Sequence, residues 1–130
     1  MAGFAYVDTS AVVALAFAEP RAIAVRDRLG EVDQLFSSTL LEAELLAAAE
    51  REGRRSGARR FLDPIRLFAP ERRLTEELET VLDHGYVRGA DLHHLATALH
   101  LFGDPGSVAF LTLDARQGEL ARALGFETLE

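Results

Sequence analysis

The chain has no cysteine and no tryptophan, and all 14 of its basic Lys-or-Arg positions are arginine. Without thiols there is no cysteine nucleophile, no iron–sulfur cluster and no cysteine-ligated zinc, a composition that fits a reducing cytoplasm. Without lysine there is no Walker phosphate loop, which needs Gly-Lys-Ser/Thr, and no Schiff-base chemistry. Long apolar runs are missing too: the stretch from Ala11 to Ala18 is far short of the ~20 residues a membrane helix requires. No basic segment precedes it and Asp8 interrupts its approach, so neither a membrane span nor a signal peptide is expected.

What is present is an ordinary soluble composition, 48% hydrophobic and 27% charged over 130 residues. A chain of this length buries about two thirds of its unfolded surface. Residues 1–130 are therefore expected to form a single domain that needs no disulfide or structural metal to fold. The net charge of −7 weighs against a phosphate-rich partner over most of the surface. The distribution is uneven, however. Between Arg51 and Arg73 eight arginines meet three acids, so this segment carries +5 and the remainder −12. Such a run is either a solvated face or a phosphate-contacting stripe.

Short apolar runs alternate with segments of helical period. Strands are expected at Phe4 to Val7, Leu35 to Ser37, Arg66 to Ala69, Val108 to Leu113 and Phe126 to Leu129. Helices are expected from about Ser10 to Glu19, Arg21 to Leu29, Thr39 to about Gly53, Gly57 to Leu62, Leu74 to His84, Asp91 to Phe102 and Ala115 to Leu124. Alternation of this kind gives right-handed crossovers onto a mostly parallel sheet with helices on both faces. The expected class is α/β, a three-layer α/β/α fold with about five strands.

Several acids occupy positions where acids are hard to explain. Asp8 and Asp114 end two strands, and in an open parallel sheet the carboxyl ends beside the switch in strand order form the binding crevice. Each is also a plausible helix N-cap. At about 100° per residue, Glu44 shares the apolar stripe of Leu41 and Ala48. Glu42 falls on another side, and its spacing from Thr39 makes a capping box that accounts for it structurally. Asp91 heads the stripe formed by Leu95, Ala98, Leu99 and Phe102. Four clustered anions raise one another's pKa unless a cation compensates, and a donor set of hard oxygens selects Mg²⁺ or Mn²⁺ over zinc. The histidines compete poorly. His93 and His100 fall on the solvent side, about 10 Å apart along the axis, and His94 reads as a packed or hydrogen-bonded residue at the core's edge.

Four segments now fall into a pattern: Ala-Tyr-Val-Asp8-Thr9-Ser10-Ala-Val-Val, Ser37-Ser38-Thr-Leu-Leu-Glu-Ala-Glu44-Leu-Leu, Asp91-Leu-His-His94-Leu-Ala-Thr-Ala and Leu-Thr112-Leu-Asp114-Ala-Arg-Gln. In order and across the whole chain, they resemble the four motif blocks of the PIN domain, and a free-standing chain of this length is most similar to the VapC-type toxins of type II toxin–antitoxin pairs. The resemblance implies an endoribonuclease that depends on Mg²⁺ or Mn²⁺, with Asp8, Glu44, Asp91 and Asp114 as the catalytic, metal-holding acids. It implies orienting hydroxyls at Ser10 and Thr112, a homodimer, and an antitoxin that threads a basic side chain into the acidic pocket. Arg54, Arg55, Arg59 and Arg60 are then the candidate contacts to RNA.

Other classes fit less well. A haloacid-dehalogenase phosphatase needs a second Asp two residues after the first and a downstream Lys, whereas position 10 is Ser and lysine is absent. A receiver domain fails the same lysine test. The alternative of a different kind is a catalytically silent PIN fold that serves as a binding or scaffold module, since fold alone does not establish function.

Overall fold

The computed structural model describes residues 3–129. The expected domain bounds at residues 1, 2 and 130 lie outside the described residues. The strands are β1 (Phe4–Val7), β2 (Gln34–Ser38), β3 (Ile65–Phe68) and β4 (Val108–Leu111). The helices are α1 (Thr9–Ala16), α2 (Ala22–Leu29), α3 (Thr39–Arg51), α4 (Arg55–Arg59), α5 (Thr75–His84), α6 (Gly89–Leu101) and α7 (Ala115–Ala123), with short 3₁₀ turns at Arg60–Leu62 and Pro105–Ser107.

The sheet runs β3-β2-β1-β4 with every pairing parallel. Period-two alternation splits its residues into two cores. Ala5, Val7, Ala109 and Leu111 pack with Val12, Leu41, Leu45 and Ala49 on the face covered by α1 and α3. Tyr6, Phe36, Val108 and Phe110 pack with Val81, Leu95, Ala98 and Leu120 on the face covered by α5, α6 and α7. The three layers expected from the alternation are present. The chain moves outward from β1 through β2 to β3, then returns to the far side of β1 as β4. The reversal in strand order therefore falls between β1 and β4, and a crevice opens beyond their carboxyl ends.

The sheet has four strands rather than five. The expected fifth, Phe126 to Leu129, is reduced to an isolated parallel bridge between Ala109 and Glu127. Two backbone bonds flank it, Phe110 N–H to the Glu127 carbonyl and Glu127 N–H to the Val108 carbonyl. Pairing stops there, where Thr128 accepts a hydrogen bond from Arg122 on α7. β4 is shorter than its apolar run because the Thr112 hydroxyl and the Leu113 amide are engaged in side-chain hydrogen bonds.

The N-terminus of α3 also differs from expectation. Ser38, not Thr39, is the N-cap and accepts from the Leu40 amide at 3.1 Å. Glu42 thus lies one position beyond the third helical residue and closes no capping box. The buried stripe of α3 is Leu41, Leu45 and Ala49, at intervals of four. Its end is marked by Gly53 at φ +68°, a left-handed conformation that glycine adopts without a Cβ penalty. Among the described residues no helix is long and apolar enough to cross a membrane.

Candidate active site

Asp8 follows β1 directly, and its amide extends the β1–β4 ladder by donating to the Leu111 carbonyl at 3.1 Å. Its side chain is the N-cap of α1, accepting from the Ala11 amide at 3.0 Å. Ser10 Oγ donates to both Asp8 oxygens at 2.8 and 3.0 Å, and Thr112 Oγ1 donates to Oδ2 at 2.5 Å. The two hydroxyls expected to orient ligands thus both hold Asp8, Ser10 from the first turn of α1 and Thr112 from just past the end of β4. Asp8 is 2% exposed. Burial pushes its carboxyl up from 3.8 to about 6, against the pull of those three donors, and the charge of Asp91 adds to the rise. Crowding among acids was the expected cause; at Asp8 burial is the larger one.

Asp114 caps α7 through the Gln117 amide at 2.8 Å, while its own amide donates to Thr112 Oγ1 at 3.0 Å. Both Asp8 and Asp114 are therefore helix N-caps; Asp8 directly follows β1, whereas Asp114 lies three residues beyond the end of β4, which stops at Leu111 rather than Leu113. Asp91 lies in the first turn of α6, which begins at Gly89 rather than at Asp91 itself. Its carboxyl is raised by burial and by the charges of Asp114 and Glu44, with Arg88 opposing. Gln117, fully buried in α7, ties the two helices together by donating to the Asp91 carbonyl at 3.1 Å.

Glu44 is not sunk in the core as its place on the apolar stripe suggested. Its side chain is 36% exposed and leans across α1, accepting from Thr9 Oγ1 at 2.6 Å. Thr9 Oγ1 is also 3.0 Å from His94 Nε2, and His94 Nδ1 is 2.8 Å from the Tyr6 hydroxyl. His94 is 1% exposed, and burial drives its pKa down to about 4 with a further push from His93. It is therefore neutral at physiological pH. Its approach to Glu44, 3.7 Å from Nε2 to Oε1, is a polar contact rather than an ion pair. The Tyr6 phenol is pushed up by burial and keeps its proton.

The reading of His94 as a hydrogen-bonded residue at the core's edge agrees with this geometry. Thr9, Tyr6 and Gln117 were missed as site residues. Thr9 lies inside the Asp-Thr-Ser segment, but nothing in its spacing separates it from a helix-starting threonine. His93 and His100, expected in solvent, are both half-buried: the His93 ring lies against His94, and His100 packs toward α5, 3.7 Å from Glu77 and 3.2 Å from Arg72.

The four candidate arginines of the basic segment do not join the acids. α1 and α3 both start at the carboxyl edge of the sheet and run back along it, and at 1.5 Å per residue their far ends lie about 12 and 20 Å away. Arg54 stacks over Phe17 at the end of α1, and Arg55 pairs with Glu50 late in α3. Arg59 closes α4, and Arg60 lies over Phe61. A cleft of about 450 Å³ opens beside Asp114 instead, lined by Arg21, Thr112, Leu113, Glu119, Arg122 and Thr128 among others. It reaches none of the other three acids.

The oxygen-only donor set fits a hard divalent ion. Among the described residues, however, no three acidic or histidine side chains close on one point. A Mg²⁺ ion, which commonly binds through one or two carboxylates and keeps several waters, suits such an open arrangement better than a dehydrated ion would.

The PIN domain family model matches residues 5–123. The chain is 33% identical over 126 residues to Ribonuclease VapC46 of Mycobacterium tuberculosis, covering 95% of each. Its fold is similar to VapBC-1 from nontypeable Haemophilus influenzae, with TM-score 0.69, 14% identity and 96% of each chain covered. It is likewise similar to VapBC2 from Rickettsia felis, solved bound to a DNA fragment from their promoter, with TM-score 0.70, 13% identity and 96% of each chain covered. With a family match over nearly its whole length and a relative 33% identical over 95% of the chain, this chain belongs to the PIN-domain family and is of the VapC kind.

Proposed function

We propose that this protein is a divalent-metal-dependent endoribonuclease and the toxin of a type II toxin–antitoxin pair. One observation carries the reading: Thr112 Oγ1 bonds both the Asp8 carboxylate and the Asp114 amide, Gln117 ties the Asp91 carbonyl to the helix that Asp114 caps, and Glu44 accepts from Thr9 next to Asp8. These contacts support a shared acidic site at the carboxyl edge of the sheet, beside the β1/β4 switch. The relationship to Ribonuclease VapC46 supports RNA as the substrate.

Asp8, Asp91, Asp114 and Glu44 are the residues that would hold Mg²⁺ or Mn²⁺. When bound, such an ion supplies Lewis acidity and lowers the pKa of a coordinated water. Ser10 and Thr112 keep the Asp8 oxygens turned to a fixed direction, and Gln117 sets the distance between the turns carrying Asp91 and Asp114. Arg21 and Arg122 offer guanidinium partners for backbone phosphates in the cleft beside Asp114. Arg54, Arg55, Arg59 and Arg60 can meet only a part of the RNA remote from the acids. A homodimer, an antitoxin partner and action in the cytoplasm belong to the same proposal; the names of both solved neighbours as VapBC support the antitoxin.

The test is cleavage of end-labelled single-stranded RNA in chelator and after adding back Mg²⁺ or Mn²⁺. Cleavage that requires the ion, yields 5′-phosphate ends and disappears in Asp114→Asn is the expected result. The second reading is a catalytically silent binding module. A folded protein without ion-dependent cleavage would decide for it.

A further inference from the structure

Hydrogen-bond counting around Glu44 leads to a definite proton arrangement. Thr9 has one hydroxyl proton, and at 2.6 Å it is given to Glu44 Oε1. The contact of 3.0 Å between Thr9 Oγ1 and His94 Nε2 must then be a bond that Thr9 accepts, so Nε2 carries the imidazole proton. In a neutral imidazole Nδ1 is then an acceptor, and the Tyr6 hydroxyl at 2.8 Å donates to it. Every donor in the chain points the same way: Tyr6 to His94, His94 to Thr9, Thr9 to Glu44. Such chains polarise their members, and each bond strengthens the next.

The far end of this chain is anchored in the core. The Tyr6 ring stacks on Phe110 with centroids 5.2 Å apart and meets the His94 ring edge-on at 5.7 Å. Both Tyr6 and His94 are among the largest fully buried side chains. Glu44, by contrast, sits on the partly exposed flank of α3, where a glutamate alone would sample several rotamers. Burying a polar residue such as His94 costs stability unless its nitrogens are satisfied, and here both nitrogens are used in a path that ends on Glu44.

We propose that Thr9, backed by His94 and Tyr6, is a positioning residue that aims the Glu44 carboxylate into the acidic site through this one-way chain of hydrogen bonds. The proposal rests on the nuclease reading for its catalytic consequence, but the chain itself is a property of the protein without RNA. A carboxylate held in one rotamer is pre-oriented for the reaction, and losing that orientation slows the chemical step more than it weakens RNA binding.

Two measurements test it. In the ¹⁵N spectrum of His94 at neutral pH, Nε2 should be the protonated nitrogen and Nδ1 the unprotonated one. The opposite tautomer would overturn the chain outright. In single-turnover RNA cleavage, Thr9→Val, which keeps the shape and removes the hydroxyl, should lower kcat about tenfold with KM little changed. Thr9→Ser, which restores the hydroxyl, should recover most of the rate. Tyr6→Phe, which keeps the ring stack, should lower kcat by a smaller factor. If Asp8→Asn is inactive while Thr9→Val cleaves like wild type, the positioning role is wrong and the nuclease reading stands. If Asp8→Asn cleaves like wild type, cleavage does not come from the acidic site, the proposed site has failed, and the nitrogen spectrum alone decides the chain.

Discussion

The burial of Asp8 makes a prediction about stability that is independent of any substrate. Its carboxyl is raised from 3.8 to about 6 in the folded chain. At 1.36 kcal/mol per pKa unit that gap is worth about 3 kcal/mol. Below about pH 4 the carboxyl is protonated in both states and costs nothing. As pH climbs from about 4 to about 6 the unfolded chain releases the proton while the folded one retains it, so stability falls, and above about 6 the full cost persists. Asp8→Asn removes the charge and keeps the shape. The amide oxygen can still accept from Ala11, its NH₂ can donate to Thr112 Oγ1, and the Thr112 proton has a ready acceptor in Gln117 Oε1 at 3.3 Å. Exchanging charge-assisted bonds for neutral ones costs roughly 1 kcal/mol. The variant should therefore be about 2 kcal/mol more stable than wild type at pH 7.5 in chelator, a rise in Tm of about 8 °C for a domain of this size. Melts of both proteins between pH 4 and 8 should show the difference shrinking to nothing or reversing near pH 4. A difference that stays constant across that range would mean Asp8 titrates as an ordinary carboxylate, and the buried-anion argument would be wrong.

Mn²⁺ at a hundredfold excess over its Kd should stabilise wild type by about 2.7 kcal/mol through binding to the folded state alone, and it should move Asp8→Asn much less; equal shifts in thermal melts would separate Asp8 from the ion. Glu44→Gln should lose most RNA cleavage, whereas Glu42→Gln, exposed and without a capping role, should change stability by less than about 0.5 kcal/mol and cleave normally; the reverse pattern in a gel assay would show that the wrong glutamate was chosen. Neutralising Arg54, Arg55, Arg59 and Arg60 together should flatten the salt dependence of RNA binding and leave kcat unchanged, given their distance from the acids; an unchanged salt slope returns them to a solvated surface.

Local patterns made much of this protein readable from its sequence. An apolar run followed by Asp and then a helical period marks a strand, its end and a cap at once, which is why Asp8 and Asp114 could be placed before their partners were known. Parallel topology then puts such strand ends on one edge of the sheet. Helical angle found Asp91 in the same way. The same angle overstated the depth of Glu44, because it reports direction from the helix axis and not what stands opposite. The space facing that part of α3 is the start of α1, where Thr9 meets Glu44 at the surface rather than in the core. The assignment of a capping box to Thr39 failed on a competition between adjacent residues: Ser38 reached the Leu40 amide and made Thr39 helical. At the C-terminus, the apolar run was sufficient for one bridge only, at Glu127, and the next residue, Thr128, has its side chain bonded to Arg122 on α7.

The least readable feature is the one nearest the chemistry. Tyr6 and His94 are 88 residues apart, and Thr9 and His94 are 85 apart. A hydrogen bond of that span has no period, because its two ends lie on elements whose own patterns are set by their separate cores. Tyr6 reads as an ordinary apolar-face residue of a buried strand, and His94 as an interruption at the margin of a helix stripe. What does carry information is the mismatch between type and place: a histidine on the buried flank of α6 must have both nitrogens satisfied, so it demands two partners that the helix itself cannot provide. The candidates for those two partners are few. They have to be hydroxyls or carboxylates at the carboxyl ends of the neighbouring strands, and the Asp-Thr-Ser turn after β1 supplies the one hydroxyl that can face both His94 and the acid beside it. A polar residue in an apolar stripe is in that sense a pointer to distant residues, and here it points at the carboxylate whose orientation the proposed reaction needs.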